Sequence, residues 1–268
     1  MVPKAKNLEF RQRMGSTVNK RCSWGLFFAV FILLSGTLFL SSQGHSSTRQ
    51  RQLDFEDPST VAFKTQVGIA KDEEAVAVEG TLLGSNIPFL HCSSSTSSDS
   101  TSLVLLHGAR FKKEDWQTNG LLEKFCKDFN VVALDLEVKA DHVELQNVLK
   151  DVEQQLSISL PVSALVTPSA SGFSVVDWLD GDMGSFANYI QRWIPVAPPS
   201  VLKVTDALSQ LKSVPILAIY GSEDSMGQKV SNRLGEMSDA QVVDIPGSHP
   251  CYLDSPEEFI HHVRKFLK

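Results

Sequence analysis

Short apolar runs recur through the last two thirds of the chain, separated by polar turns or by stretches with helical spacing. Ala75–Leu83 and Ile87–Cys92 predict an antiparallel pair turning at Gly84-Ser85-Asn86. A loop of seven serines, two threonines and an aspartate, Ser93–Ser102, reads as a flexible surface connection. Beyond it, strands and helices alternate. Strands are expected at Leu103–Leu106, Val131–Leu136, 163–167, Trp193–Ala197, Ile216–Tyr220 and Gln241–Ile245. Helices are expected at Trp116–Lys127, Val143–Leu156, Phe173–Leu179, Val201–Leu211, Gln228–Met237 and Pro256–Leu267. Such alternation builds a mostly parallel sheet covered by helices on both faces. The leading hairpin brings the expected strand count to eight.

The first third has a different pattern. From Cys22 to Ser42 there are 21 residues without a charge, and Trp24–Leu40 is apolar on every side. About 20 helical residues cover the roughly 30 Å core of a bilayer, so residues 22–42 predict a transmembrane signal-anchor. A cleaved signal peptide, giving a secreted protein, is the alternative; its apolar part is usually shorter and its charged lead briefer. Residues 1–21 carry six basic side chains against Glu9, a basic tail of net +5 that the positive-inside rule places in the cytoplasm. The expectation is a single-pass type II membrane protein whose body is lumenal or extracellular. Residues 43–60 read as a polar stalk, and 61–268 as the globular domain.

With an overall charge of −6, the chain beyond residue 21 carries −11. An acidic body repels phosphate backbones, which argues against a nucleic-acid partner. Cys22, Cys92, Cys126 and Cys251 lie far apart with no C-x-x-C pair, so neither a zinc site nor a disulfide framework is expected. No metal or other cofactor is called for.

Function in an open parallel sheet collects at the carboxyl ends of its strands, and four candidates stand there. The run Ser163–Val166 ends in Thr167-Pro168-Ser169-Ala170-Ser171-Gly172 before a helix. A strand, a sharp turn with a serine and a helix form the context of a nucleophile elbow, usually spelled G-x-S-x-G. The turn demands small residues two before and two after the nucleophile. Centring on Ser169 places Thr167 and Ser171 there, whereas centring on Ser171 would place Phe173, so Ser169 is preferred. Taken alone, a serine at this point also suits a helix N-cap. His107-Gly108-Ala109-Arg110 follows the first parallel strand, where a loop contributes one oxyanion N–H; Ala109 is the candidate donor, with Ala170 the second. Asp224 lies in the loop after Tyr220, with Glu223 as a near substitute. His249 lies in Pro246-Gly247-Ser248-His249-Pro250, between the last strand and the last helix. The order Ser169, Asp224, His249 is that of the α/β-hydrolase triad.

These segments resemble the α/β-hydrolase-domain-containing protein 14 family, in its membrane-anchored branch. The resemblance rests on His107-Gly108-Ala109-Arg110-Phe111 with Trp116 beyond, on Thr167-Pro168-Ser169-Ala170-Ser171-Gly172 and on Pro195-Val196-Ala197-Pro198. It continues through Tyr220–Gln228 and Gly247–Glu258, so that it covers roughly residues 75–268. It implies the α/β-hydrolase fold and a Ser169-Asp224-His249 triad. Relatives follow the Asp-Leu of the corresponding strand with a Pro-Gly-x-Gly turn, where this chain has Glu137-Val138-Lys139-Ala140 after Asp135-Leu136. The expected activity is acyl transfer from a small acyl ester, thioester or amide, including one borne on a larger carrier. Only one helix fits between Pro199 and Pro215, so no lid domain is expected. The rival from another class is a catalytically degenerate hydrolase scaffold that acts as a binding protein.

Overall fold

The apolar runs become buried strands of one sheet. In the computed structural model, which describes residues 76–94, 101–204 and 206–268, these are β1 (Val78–Thr81), β2 (Pro88–Cys92), β3 (Ser102–Leu105) and β4 (Asn130–Leu134). They continue as β5 (Ala164–Pro168), β6 (Trp193–Val196), β7 (Leu217–Gly221) and β8 (Gln241–Ile245). The order across the sheet is β1-β2-β4-β3-β5-β6-β7-β8. The hairpin joins β4 antiparallel, with His91 opposite Val132, and every later pairing is parallel. This is the eight-stranded sheet of an α/β-hydrolase.

Alternation along each strand builds two cores, because successive side chains point to opposite faces. Val104, Val132 and Leu165 face one layer, formed by α3 (His142–Leu156), α4 (Phe173–Asp180) and α5 (Ser225–Ser238). Leu103, Leu105, Val131 and Val166 face the other. That second layer contains α1 (Asp115–Thr118), α2 (Leu121–Cys126), α6 (Cys251–Asp254) and α7 (Pro256–Leu267). Aromatic rings of Trp116, Tyr252 and Phe259 interlock there, with Trp116 and Tyr252 centroids 4.8 Å apart. Local chemistry sets the helix ends. The Asp141 carboxylate accepts from Glu144 N–H at 2.8 Å to start α3, and Pro256 opens α7 with Glu257 and Glu258 in its first turn.

Three expectations need correction. Trp116–Lys127 is not one helix: Gly120 adopts φ +66°, a left-handed conformation that stops α1 and lets α2 begin at a new angle. Between β6 and β7, the expected helix Val201–Leu211 is two 3-10 stretches, Pro199–Lys203 and Asp206–Ser213. Short 3-10 turns leave this connection without a lid domain. Finally, Cys92 and Cys126 form a disulfide with Cα atoms 5.8 Å apart. They are 34 residues apart in sequence, and only the pairing of β2 with β4 brings β2 over α2.

The expected tail, anchor and stalk, 1–60, lie outside the described residues. Among the described residues no helix is long and apolar enough to cross a membrane.

Candidate active site

At the carboxyl end of β5 the chain turns so sharply that Ser169 takes φ +51°. A non-glycine residue with positive φ costs on the order of 1 kcal/mol or more, and such strain concentrates where a side chain must be presented. Helix α4 begins one 3-10 turn later, so the Ser169 hydroxyl stands at the end of the strand, half-buried and facing His249.

The crowding under this turn is resolved by residues that G-x-S-x-G does not name. Thr167 is fully buried, and its Oγ1 accepts a 2.8 Å bond from Trp193 Nε1. A hydroxyl thus stands where the usual motif has hydrogen, and it has a partner. Ser171 is also buried and donates its Oγ proton back to the Pro168 carbonyl at 2.9 Å. That bond turns its hydroxyl inward and leaves half-buried Ser169 as the more accessible of the two. The position that must be glycine is Gly172, where an added Cβ would lie 2.3 Å from Pro198 Cβ. In sequence Gly172 stands out only as the one glycine of the turn, three residues past Ser169; its closeness to Pro198 is set by the fold.

Asp224 and His249 come from neighbouring strand ends. Asp224 caps the N-terminus of α5, its Oδ1 accepting from Gly227 N–H at 2.8 Å. Its Oδ2 lies 2.5 Å from His249 Nδ1. The carboxylate side chain is only 8% exposed, so one oxygen is fixed by backbone and the other orients the imidazole. His249 Nε2 in turn lies 2.8 Å from Ser169 Oγ. Ser169, His249 and Asp224 therefore form a continuous hydrogen-bonded line across loops separated by up to 80 residues. Glu223, the alternative acid, is exposed and is not part of it; its N–H donates to the Gly247 carbonyl at 3.0 Å.

The loop after β3 lies against the elbow. An added Cβ on Gly108 would sit 3.7 Å from Ser169 Cβ and 3.7 Å from the Pro168 carbonyl oxygen, so the backbone just before Ala109 runs close to the serine. Its base is fixed by Asp135 at the end of β4, whose Oδ1 accepts from Lys113 N–H at 2.8 Å and lies 3.6 Å from His107 Nε2. The Lys113 ammonium is buried, which would lower its pKa, but hydrogen bonds to Glu114 and Glu79 hold it above the ordinary lysine value. The divergent segment after Leu136 is likewise tied down, since Ser174 Oγ of α4 donates to the Ala140 carbonyl at 2.6 Å. Cys251, two residues beyond His249, is buried and pushed up to about 12 by that burial, which makes it inert as a thiolate. No group of three or more His, Cys, Asp or Glu side chains suited to a metal occurs among the described residues.

No protein-family model matches the chain. It is 32% identical over 180 residues to ABHD14B of Pongo abelii, covering 62% of this chain and 83% of that protein. The human ABHD14B is 31% identical over the same shares. Both carry a provisional assignment as a protein-lysine deacylase. ABHD14A of Danio rerio is 29% identical, covering 62% of this chain and 63% of that protein. Among solved structures, carboxylesterase CesB of Bacillus subtilis superposes with a TM-score of 0.54 at 17% identity, covering 72% of this chain and 92% of that one. The naproxen esterase of the same organism gives 0.54 at 15%, with the same coverage. At such identities the likeness establishes the fold.

Proposed function

The chain belongs to the ABHD14 family, and from that membership together with the site geometry we propose that it is a serine hydrolase acting by acyl transfer. The observation that carries the reading is His249, whose two ring nitrogens face Ser169 Oγ and Asp224 Oδ2 at 2.8 and 2.5 Å. Asp224 holds the neutral imidazole with its proton on Nδ1, which leaves Nε2 as the acceptor for the serine proton. Ser169 Oγ then bonds to the carbonyl carbon while its proton passes to Nε2. The resulting oxyanion is received by the Ala109 and Ala170 N–H groups, each such donor being worth about 3–4 kcal/mol in the transition state. The imidazolium returns its proton to the leaving alcohol, thiol or amine, and water repeats the sequence to release the acid.

The degenerate-scaffold alternative rests on the replaced elbow glycines and on the altered 137–140 loop. Hydrogen-bond partners for Thr167 and Ser171, with clearance at Gly172, favour the catalytic reading over it at the elbow. The substrate class is a small acyl ester, thioester or amide, including an acyl group on a larger carrier. The short 3-10 connection between β6 and β7 favours such exposed substrates over long lipid chains.

The same proposal includes a type II anchor at residues 22–42 with the hydrolase body on the lumenal or extracellular side. The Cys92–Cys126 disulfide supports that side, since such bonds persist in oxidising compartments and are rare in the cytosol. A fluorophosphonate probe tests the catalytic reading: it should label the full chain on Ser169, and Ser169→Ala should abolish labelling. Undiminished labelling of that variant would remove Ser169 as the nucleophile.

A further inference from the structure

The imidazole of His249 is oriented by Asp224, but nothing in that contact fixes the backbone that carries it. The loop Pro246–Pro250 leaves the edge strand β8, pairs with no further strand and contains Gly247 at φ +128°. The position of such a loop is set by contacts outside the sheet, and a misplacement of about 1 Å can cost roughly a hundredfold in rate.

The clamp has two jaws. One is the Asp224 loop. Glu223 N–H donates to the Gly247 carbonyl at 3.0 Å, and Gly221 approaches so closely that an added Cβ would lie 2.0 Å from the Ser248 carbonyl oxygen. The other jaw is Asp254, the last residue of α6. Its Oδ2 accepts two bonds from Ser248, one from the backbone N–H at 2.8 Å and one from Oγ at 2.6 Å. Gly247 makes room for it, because an added Cβ there would lie 2.7 Å from Asp254 Cβ. The carbonyl of Leu253, one residue before, accepts from Asn119 Nδ2 at 3.1 Å, tying this end of α6 to the turn between α1 and α2.

We propose that Asp254 is a positioning residue for His249, holding the Ser248 backbone so that Nε2 meets Ser169; this rests on the serine-hydrolase reading of the site. Asp254 is exposed, as are its bonds to Ser248. Hydrogen bonds and ion pairs of exposed side chains contribute little to stability, so a carboxylate used twice on one exposed serine serves geometry more than folding.

The test measures the rate of fluorophosphonate labelling of the full chain, alongside its thermal unfolding midpoint. The variants are Asp254→Ala, Asp254→Asn and Ser248→Ala, with Asp128→Ala as a control that removes a surface partner of Arg264. Asp254→Ala should label roughly tenfold more slowly than wild type while unfolding near the control's midpoint. Asp254→Asn keeps an acceptor oxygen and should recover to within about threefold of wild type, and Ser248→Ala, which keeps the backbone donor, should fall between. Wild-type rates in Asp254→Ala would overturn the inference, as would slow labelling that tracks the unfolding midpoint through all four variants. Should Asp254→Ala not fold, Ser248→Ala decides: slower labelling at a midpoint near the control's supports the proposal, and a wild-type rate, or slowing matched by a lowered midpoint, overturns it. A wild-type chain that does not label at all overturns the hydrolase reading, and this inference with it. A labelling wild type with an unaffected Asp254→Ala overturns this inference alone.

Discussion

Trp193 donates its indole N–H to Thr167 Oγ1 at 2.8 Å, and both residues are fully buried beneath the turn that presents Ser169. A β-branched residue at this crowded point is therefore held in place by the adjacent strand, in which Thr167 stands opposite Pro195. Replacing Thr167 with Val keeps the shape and removes the acceptor, leaving a buried indole N–H without a partner. The expected cost is about 1–3 kcal/mol. For a domain of this size that lowers the unfolding midpoint by about 2–4 °C per kcal/mol, measured by thermal denaturation. A midpoint equal to wild type would show that the bond contributes nothing.

This pair also marks where sequence reasoning reaches its end. The strand Ser163–Val166 was legible because continuous apolar runs declare buried strands, and the three loops whose side chains Ser169, Asp224 and His249 meet all follow strand ends. The support beneath them was not, because Trp193 reaches Thr167 only once β5 and β6 lie side by side. Gly120 breaks an otherwise helical spacing of Trp116, Leu121, Leu122 and Phe125, and its positive φ is a property of the tertiary path. Cys92 and Cys126 meet through a strand pairing that no local spacing encodes. Asp254 reads in sequence as one acid among several near Glu257 and Glu258, and only the return of α6 onto Ser248 distinguishes it.

The disulfide yields a chemical count. Of the cysteines in the described residues, Cys251 alone has no disulfide partner. In denaturant without reductant, an alkylating reagent should therefore modify Cys251 and spare Cys92 and Cys126; after reduction all three should react. Peptide mass spectrometry reads the outcome, and alkylated Cys92 before reduction would disprove the bond. The Cys92→Ser, Cys126→Ser double variant should lose about 2–4 kcal/mol of stability, mostly by releasing the unfolded chain.

Asp177 on α4 accepts from both the backbone N–H of His142, at 3.0 Å, and its ring Nδ1, at 2.7 Å. Burial alone would raise the carboxyl pKa, but these bonds hold it below its ordinary value of 3.8. A carboxylate with a lowered folded-state pKa adds stability that is fully present above its unfolded value and lost as pH falls through its folded value. Urea midpoints of wild type should therefore decline below about pH 4 more steeply than those of Asp177→Asn. Parallel acid limbs in the two proteins would show that the pair is not linked to folding.

Asp224 offers the sharpest test of how the site works, because its two oxygens do different things. Oδ1 caps α5 through Gly227 N–H, a role that an amide oxygen can retain, so Asp224→Asn should fold with a midpoint close to wild type. Oδ2 faces His249 Nδ1, and there the amide must present its NH2 group if its oxygen keeps the cap. A donor at that point forces the neutral imidazole to carry its proton on Nε2, the nitrogen facing Ser169 Oγ. Nε2 can then no longer accept the serine proton, although every atom remains near its place. The expected result is a fall of about 10⁴ in kcat with an esterase substrate such as a p-nitrophenyl acetate. The rate should recover partly as pH rises, because hydroxide increasingly takes the serine proton directly. An Asp224→Asn variant that kept most of its activity would show that the imidazole is not oriented through this contact.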